Sequence, residues 1–157
     1  MKVASYDIVF QEGPGEVTLA LNISGCPCHC KGCHSPHLWE DTGEPLDETL
    51  IDGLLDRYGG LATCVAFMGG DQDPEYVFRL ARHVHEVAKL HTAWYSGRMK
   101  MPEGDNALTL DFVKLGGYVE ALGGLKSPNT NQRLYKRVGN EWQDITEVFH
   151  HSAFDRQ

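Results

Sequence analysis

At 157 residues, with 41% hydrophobic and 23% charged residues, the chain has the size and composition of one globular domain with a real core. It holds no run of about 18 apolar residues, which excludes a membrane-spanning helix. A formal net charge of −8, with lysines and arginines scattered except for Arg133, Lys136 and Arg137, excludes a protein that wraps a nucleic-acid backbone.

Taken in chain order, Met1 to Asp7 carries an acid where an export signal needs its apolar stretch, so a cytoplasmic location is expected. Val3–Phe10 and Val17–Ser24 read as strands separated by a turn at Glu12-Gly13-Pro14-Gly15. In the second, Val17, Leu19, Leu21 and Ile23 alternate with Thr18, Ala20 and Asn22. Asp47 is the expected N-cap of a helix through Leu50, Leu54, Leu55 and Tyr58, closed by Gly59-Gly60. Thr63–Met68 is almost wholly apolar, as for a strand buried on both faces, and stops at Gly69-Gly70-Asp71. A helix starts near Pro74, with Val77, Leu80, Val84 and Val87 as an apolar stripe. His91–Ser96 is a further strand, residues 99–107 read as a loop, and Asp111–Leu115 is the last strand before a glycine-rich stretch to Gly124. Asn131-Gln132-Arg133 reads as a polar loop and His83, His85, His150 and His151 as surface residues. The tail from about residue 138 carries Trp142, Ile145, Val148 and Phe149, which cover the sheet or form an interface.

Strands alternating with helices predict an α/β fold, a mainly parallel sheet with helices outside, in a single domain over residues 1–157. The length suits an open partial (β/α) barrel and not a complete eight-unit one. The strands end in glycine loops at Gly25, Gly69-Gly70, Gly97 and Gly116-Gly117, and ligands of such sheets lie at the carboxyl ends of the strands.

The loop over 25–39 packs four of the five cysteines into eight residues, Cys26-Pro27-Cys28-His29-Cys30-Lys31-Gly32-Cys33. Cysteines this close cannot pair with one another without severe strain, which leaves metal binding as the better account. One reading is a 4Fe–4S cluster on Cys26, Cys30 and Cys33, spaced Cys-x3-Cys-x2-Cys, with a fourth iron open to a small ligand. A second is a structural zinc ion on the four clustered cysteines, which are crowded for one tetrahedral ion. Cys30-Lys31-Gly32-Cys33-His34 also matches a haem-attachment pattern, and Cys30 with Cys33 matches a redox dithiol. Cys28 is then a loop thiol, and Cys64 a small core residue.

The cysteine spacing after a strand and a glycine resembles the cluster motif of the radical S-adenosylmethionine enzymes. Gly13-Pro14-Gly15, Gly25-Cys26-Pro27, Gly32-Cys33, Gly69-Gly70-Asp71 and Asn131-Gln132-Arg133 together are similar to the activases of glycyl radical enzymes, over about Gln11 to Arg133. The resemblance implies that Cys26, Cys30 and Cys33 bind the cluster and that S-adenosylmethionine chelates its open iron. It implies cofactor contacts from Gly69 and Gly70 through their backbones, and more loosely from Asp71, because the family word there is Gly-Gly-Glu-Pro and this chain has a shorter acid with Pro74 later. Gly32 stands where many relatives carry an aromatic ring against the adenine, so Gly32, Cys33 and His34 are the expected adenine contacts. Ser96 and Lys114 are further expected cofactor contacts, Lys114 being a polar residue in an apolar strand whose ammonium must reach solvent, an acid or a ligand. The partner implied is a glycyl radical enzyme, in these words nearest to anaerobic ribonucleoside-triphosphate reductase, with an electron donor such as flavodoxin or ferredoxin. An activase of the pyruvate formate-lyase type and a non-catalytic zinc-binding adaptor are the rival readings.

Overall fold

The computed structural model describes residues 1–9, 16–25, 43–58, 60–116 and 130–146. One sheet runs through them. β1 (Lys2–Val9) pairs antiparallel with β2 (Thr18–Ile23) and, along its outer edge, with the two-residue β3 (Glu44–Pro45). After α1 (Glu48–Tyr58), β4 (Cys64–Met68) lies parallel to β2. α2 (Pro74–Val87) leads to β5 (His91–Tyr95), parallel to β4, and a 3-10 helix over Gly104–Thr109 leads to β6 (Phe112–Leu115), parallel to β5. β7 (Arg133–Val138) and β8 (Glu141–Asp144) then add an antiparallel hairpin beside β6. The spatial order is β3-β1-β2-β4-β5-β6-β7-β8, a parallel centre with antiparallel flanks.

Local chemistry accounts for the helices. The Asp47 carboxylate accepts from the Leu50 N–H at 2.8 Å, satisfying one orphan donor of α1. The helix ends where the N–H groups of Leu61 and Ala62 both turn back to the Tyr58 carbonyl. In α2, Asp73 caps the Tyr76 N–H, Pro74 occupies the first turn where its missing donor costs nothing, and Val77, Phe78, Leu80, Ala81 and Val84 form the buried stripe.

The centre of the sheet is buried on both faces. Leu19, Leu21, Ile23, Val65, Phe67, Trp94, Val113 and Leu115 pack with the stripes of α1 and α2. Cys64, Ala66, Ala93, Tyr95, Phe112 and Leu134 form a second cluster on the opposite face. Burying each large side chain contributes about 1.5–3 kcal/mol, so this double cover is the main stabilising term of the fold.

Several sequence expectations need correction. Residues 104–107 of the expected 99–107 loop belong to the 3-10 helix, which runs on to Thr109, whose hydroxyl donates to the Asn106 carbonyl at 2.7 Å. Arg133 opens β7, and Gln132 beside it is buried, so Asn131-Gln132-Arg133 is not simply a polar loop. The tail from 138 begins at the end of β7 and forms β8, which extends the sheet; Val148, Phe149, His150 and His151 lie outside the described residues. His85 is half-buried and engaged, its Nε2 2.9 Å from Asp111 Oδ2 and 3.0 Å from the Thr92 hydroxyl. His83 is likewise engaged, 2.7 Å from Asp52. The turn at 12–15, Gly59 and the stretch 117–129 also lie outside the described residues.

Candidate functional site

The carboxyl ends of β2, β4, β5 and β6 share one end of the sheet, because these four strands are parallel neighbours. β2 leaves through Ser24, whose N–H donates to the Lys2 carbonyl at 3.0 Å, and then through Gly25 at φ +75°. Cys26, Cys28, Cys30, Gly32, Cys33 and His34 follow and lie outside the described residues.

β4 leaves through Gly69 and Gly70, at φ +114° and +92°, a region that side chains other than glycine rarely adopt. Space demands glycine as well. A Cβ on Gly69 would stand 3.2 Å from the Ile23 carbonyl oxygen, and one on Gly70 2.5 Å from Val77 Cγ2. The Gly-Gly turn is therefore pressed against the last residue of β2. The Gly69 N–H donates to the Tyr95 carbonyl and its own carbonyl accepts from Trp94 Nε1 at 2.8 Å, while the Gly70 carbonyl accepts from the Asp73 N–H. Each carbonyl retains a second lone pair.

Asp71 is 2% exposed. Its carboxylate accepts from the Ser96 hydroxyl and from the Gly97 N–H at 2.8 Å, so the β4 and β5 loops are bolted together. Ser96 Oγ also accepts from the Arg98 N–H at 3.0 Å. The Lys114 ammonium donates to the carbonyls of Ser96 and Gly116, at 3.1 and 2.9 Å, and stands 5.9 Å from the centre of the Tyr95 ring. Gln132 reaches the same Gly116 carbonyl at 3.3 Å, and Gln72 Nε2 reaches the Ser24 carbonyl at 2.8 Å. One polar belt thus runs from the exit of β2 to β7.

Of the residues singled out in the sequence, Gly69, Gly70, Asp71, Ser96 and Lys114 meet in this belt. The side chains of Asp71 and Ser96 bond to each other, and Lys114 donates to two backbone carbonyls. Gln72 goes unremarked in the sequence, Gln132 reads there as part of a polar loop, and Gly97 and Gly116 only as strand-end glycines. Nothing in their spacing marks them, because each acts across a loop distant in the chain.

On the face opposite the helices, Asn22, Met68, Tyr95 and Lys114 stand in register across the four parallel strands. Ala20, Ala66 and Ala93 form the row beneath, in register with one another. Small side chains there leave the rim row without a bulky layer directly below it in those three strands.

Cys64 is fully buried, and burial pushes its thiol up, with the charges of Glu16 and Asp111 adding to the effect. Such a thiol is a poor ligand and a poor nucleophile. Among the described residues no group of three or more His, Cys, Asp or Glu side chains is placed to hold a metal ion. No described helix is long and apolar enough to cross a membrane.

The parallel centre of the sheet ends at the rim from which the cysteine-rich sequence continues after Gly25. The chain belongs to the 4Fe-4S single cluster domain family, whose profile matches residues 11–115. No curated protein and no solved structure matches the chain. The family match supports a 4Fe–4S cluster, which requires thiolates such as the chain supplies after Gly25.

Proposed function

We propose that this iron–sulfur protein is a radical S-adenosylmethionine activase that generates a glycyl radical on anaerobic ribonucleoside-triphosphate reductase, drawing its electron from a donor such as flavodoxin or ferredoxin. The observation that carries the reading is the convergence of the glycine-bounded exits of β2, β4 and β5 on one end of the sheet, with the cysteine segment continuing from the first of them.

On this reading Cys26, Cys30 and Cys33 hold the cluster, and β2, β4, β5 and β6 are the wall of an open partial barrel. When bound, the cluster supplies the electron that cleaves the sulfonium of S-adenosylmethionine, and the adenosyl fragment removes a hydrogen atom from a glycine of the partner. The protein's part is placement. The free lone pairs on the Gly69 and Gly70 carbonyls accept the ammonium of the cofactor. Asp71, bolted to Ser96 and Gly97, fixes the spacing between the β4 and β5 loops, and Ser96 and Lys114 border the bound cofactor. Gly32, Cys33 and His34 lie against the adenine.

Anaerobic electron paramagnetic resonance on the reconstituted, reduced chain tests the reading. A 4Fe–4S signal that changes shape on adding S-adenosylmethionine, together with a glycyl radical signal on the purified reductase, is the expected result. Cys26→Ala is expected to abolish both. A colourless protein with stoichiometric zinc, or a cluster indifferent to S-adenosylmethionine, would overturn it. Radical formation on pyruvate formate-lyase and not on the reductase would keep the chemistry and replace the partner.

A further inference from the structure

The residues that follow the Gly69-Gly70 turn each fasten a different element. The Asp71 carboxylate holds the Ser96 hydroxyl and the Gly97 N–H of the β5 loop. The Asp73 carboxylate caps the Tyr76 N–H in the first turn of α2, and the Asp73 N–H donates to the Gly70 carbonyl at 3.1 Å. Gln72 stands between them, exposed, with its backbone fixed on both sides. Its side chain crosses to the exit of β2, where Nε2 donates to the Ser24 carbonyl at 2.8 Å.

The carbonyl that Gln72 holds is the last one before the glycine that precedes the cysteines. Ser24 is fully buried and tied to β1, its N–H and its hydroxyl both donating to the Lys2 carbonyl, at 3.0 and 3.3 Å. Those bonds fix Ser24 but not the peptide plane beyond it, which turns about the Ser24 ψ and Gly25 φ bonds. A trans peptide is rigid, and its C=O and N–H point in opposite directions. Holding the Ser24 oxygen therefore also sets the Gly25 N–H and the direction in which the chain leaves the sheet. Gly25, at φ +75°, has no side chain to restrict that plane in its place, and Cys26 comes next. The two loops already touch one residue earlier: a Cβ on Gly69 would stand 3.2 Å from the Ile23 carbonyl oxygen, and one on Gly70 3.4 Å from Ile23 Cδ1. Gln72 carries that contact on to the peptide at which the cysteine segment begins.

We infer that Gln72 is a positioning residue for the iron–sulfur centre: by holding the Ser24–Gly25 peptide against the Gly69–Gly70 turn, it directs the chain into Cys26. The inference rests on the reading of Cys26, Cys30 and Cys33 as the thiolates of a 4Fe–4S cluster. Groups behind the ligands govern how firmly a metal centre is held, because they orient the ligands themselves.

The test uses the full chain, reconstituted and reduced without oxygen, and two readouts taken without S-adenosylmethionine. One is the line shape of the cluster's electron paramagnetic resonance signal; the other is the rate of iron loss to a chelator. Gln72→Met keeps the length of an exposed side chain and removes its donor. It is expected to broaden the signal and to lose iron about three- to tenfold faster, the range that one lost hydrogen bond spans. Gln72→Lys returns a donor to the Ser24 carbonyl and is expected to match the unaltered chain in iron loss. Asp73→Ala removes the neighbouring helix cap and is expected to lower the thermal midpoint with the signal unchanged, which separates lost stability from lost position. Loss of the whole cluster from Gln72→Met but not from Gln72→Lys would support the inference equally. An unaltered signal and rate in Gln72→Met, a Gln72→Lys chain that behaves like Gln72→Met, or an Asp73→Ala chain that broadens the signal as much would each overturn it. A cluster in the unaltered chain that ignores S-adenosylmethionine would overturn the activase reading and leave this comparison decisive, since neither readout uses that cofactor. A chain that holds zinc and no cluster would overturn both.

Discussion

Asp71 shows how much internal work one buried carboxylate does at this rim. A buried carboxylate is costly unless hydrogen bonds compensate it, and here Ser96 Oγ and the Gly97 N–H do so. Asp71→Ala leaves both donors bare and is expected to destabilise the protein by about 1–3 kcal/mol, measured by denaturant unfolding. An unchanged midpoint would show that the pair carries no structural weight. The two turn glycines are constrained in different ways, although both have positive φ. At Gly70 an added Cβ collides with Val77, so Gly70→Ala combines backbone strain with a clash and is expected to cost about 1–3 kcal/mol. Gly53, exposed on α1 with nothing within 4 Å of where a Cβ would stand, is the opposite case. Gly53→Ala is expected to stabilise by about 0.5–1 kcal/mol, because alanine loses less freedom in a helix. Thermal unfolding of the two variants should therefore shift in opposite directions.

Among the elements, β6 is held at its start by Asp111, which gathers His85 from α2, the Thr92 N–H from β5 and Arg137 from β7. Burial pushes the Asp111 carboxyl up, but the hydrogen bonds from His85 and Thr92 and the nearby positive charge outweigh it, and the net shift is downward. A carboxyl lowered in the folded state contributes stability above its ordinary value near 4 and loses that contribution as pH falls through the folded value. The stability difference between the protein and Asp111→Asn should thus be full above about pH 5 and shrink below about pH 4. A difference independent of pH would show that the carboxylate charge is irrelevant. Of the elements read in the sequence, β1, β2, α1, β4, α2, β5 and β6, the clearest were β2, β4 and α2, whose burial is periodic or nearly complete. β7 gave no such signal: only Leu134 of its six residues is buried, and Arg133, Lys136 and Arg137 interrupt any alternation. β3 is two exposed residues, too short to carry a pattern. At the rim, the glycine turns were legible because left-handed backbone leaves glycine as its mark. The Asp71–Ser96 and Gln72–Ser24 contacts were not, because they depend on which loops the sheet order brings together.

For the whole molecule, stability rests on the doubly covered centre, where Phe67 is fully buried between β2 and β5. Phe67→Ala should cost about 3–5 kcal/mol in equilibrium unfolding, near the limit a domain of this size tolerates. The parallel pairing of β2 with β4 has a kinetic consequence too. Everything from Ser24 to Thr63, cysteines included, must be closed into a loop before that ladder can form, and such closure slows folding more than it weakens the native state. A metal centre anchored within the loop would shorten the segment left to search. Refolding from denaturant is therefore expected to be faster when the centre is already assembled, with the unfolding limb little changed: the cofactor would act as a template for the very sheet that later holds it.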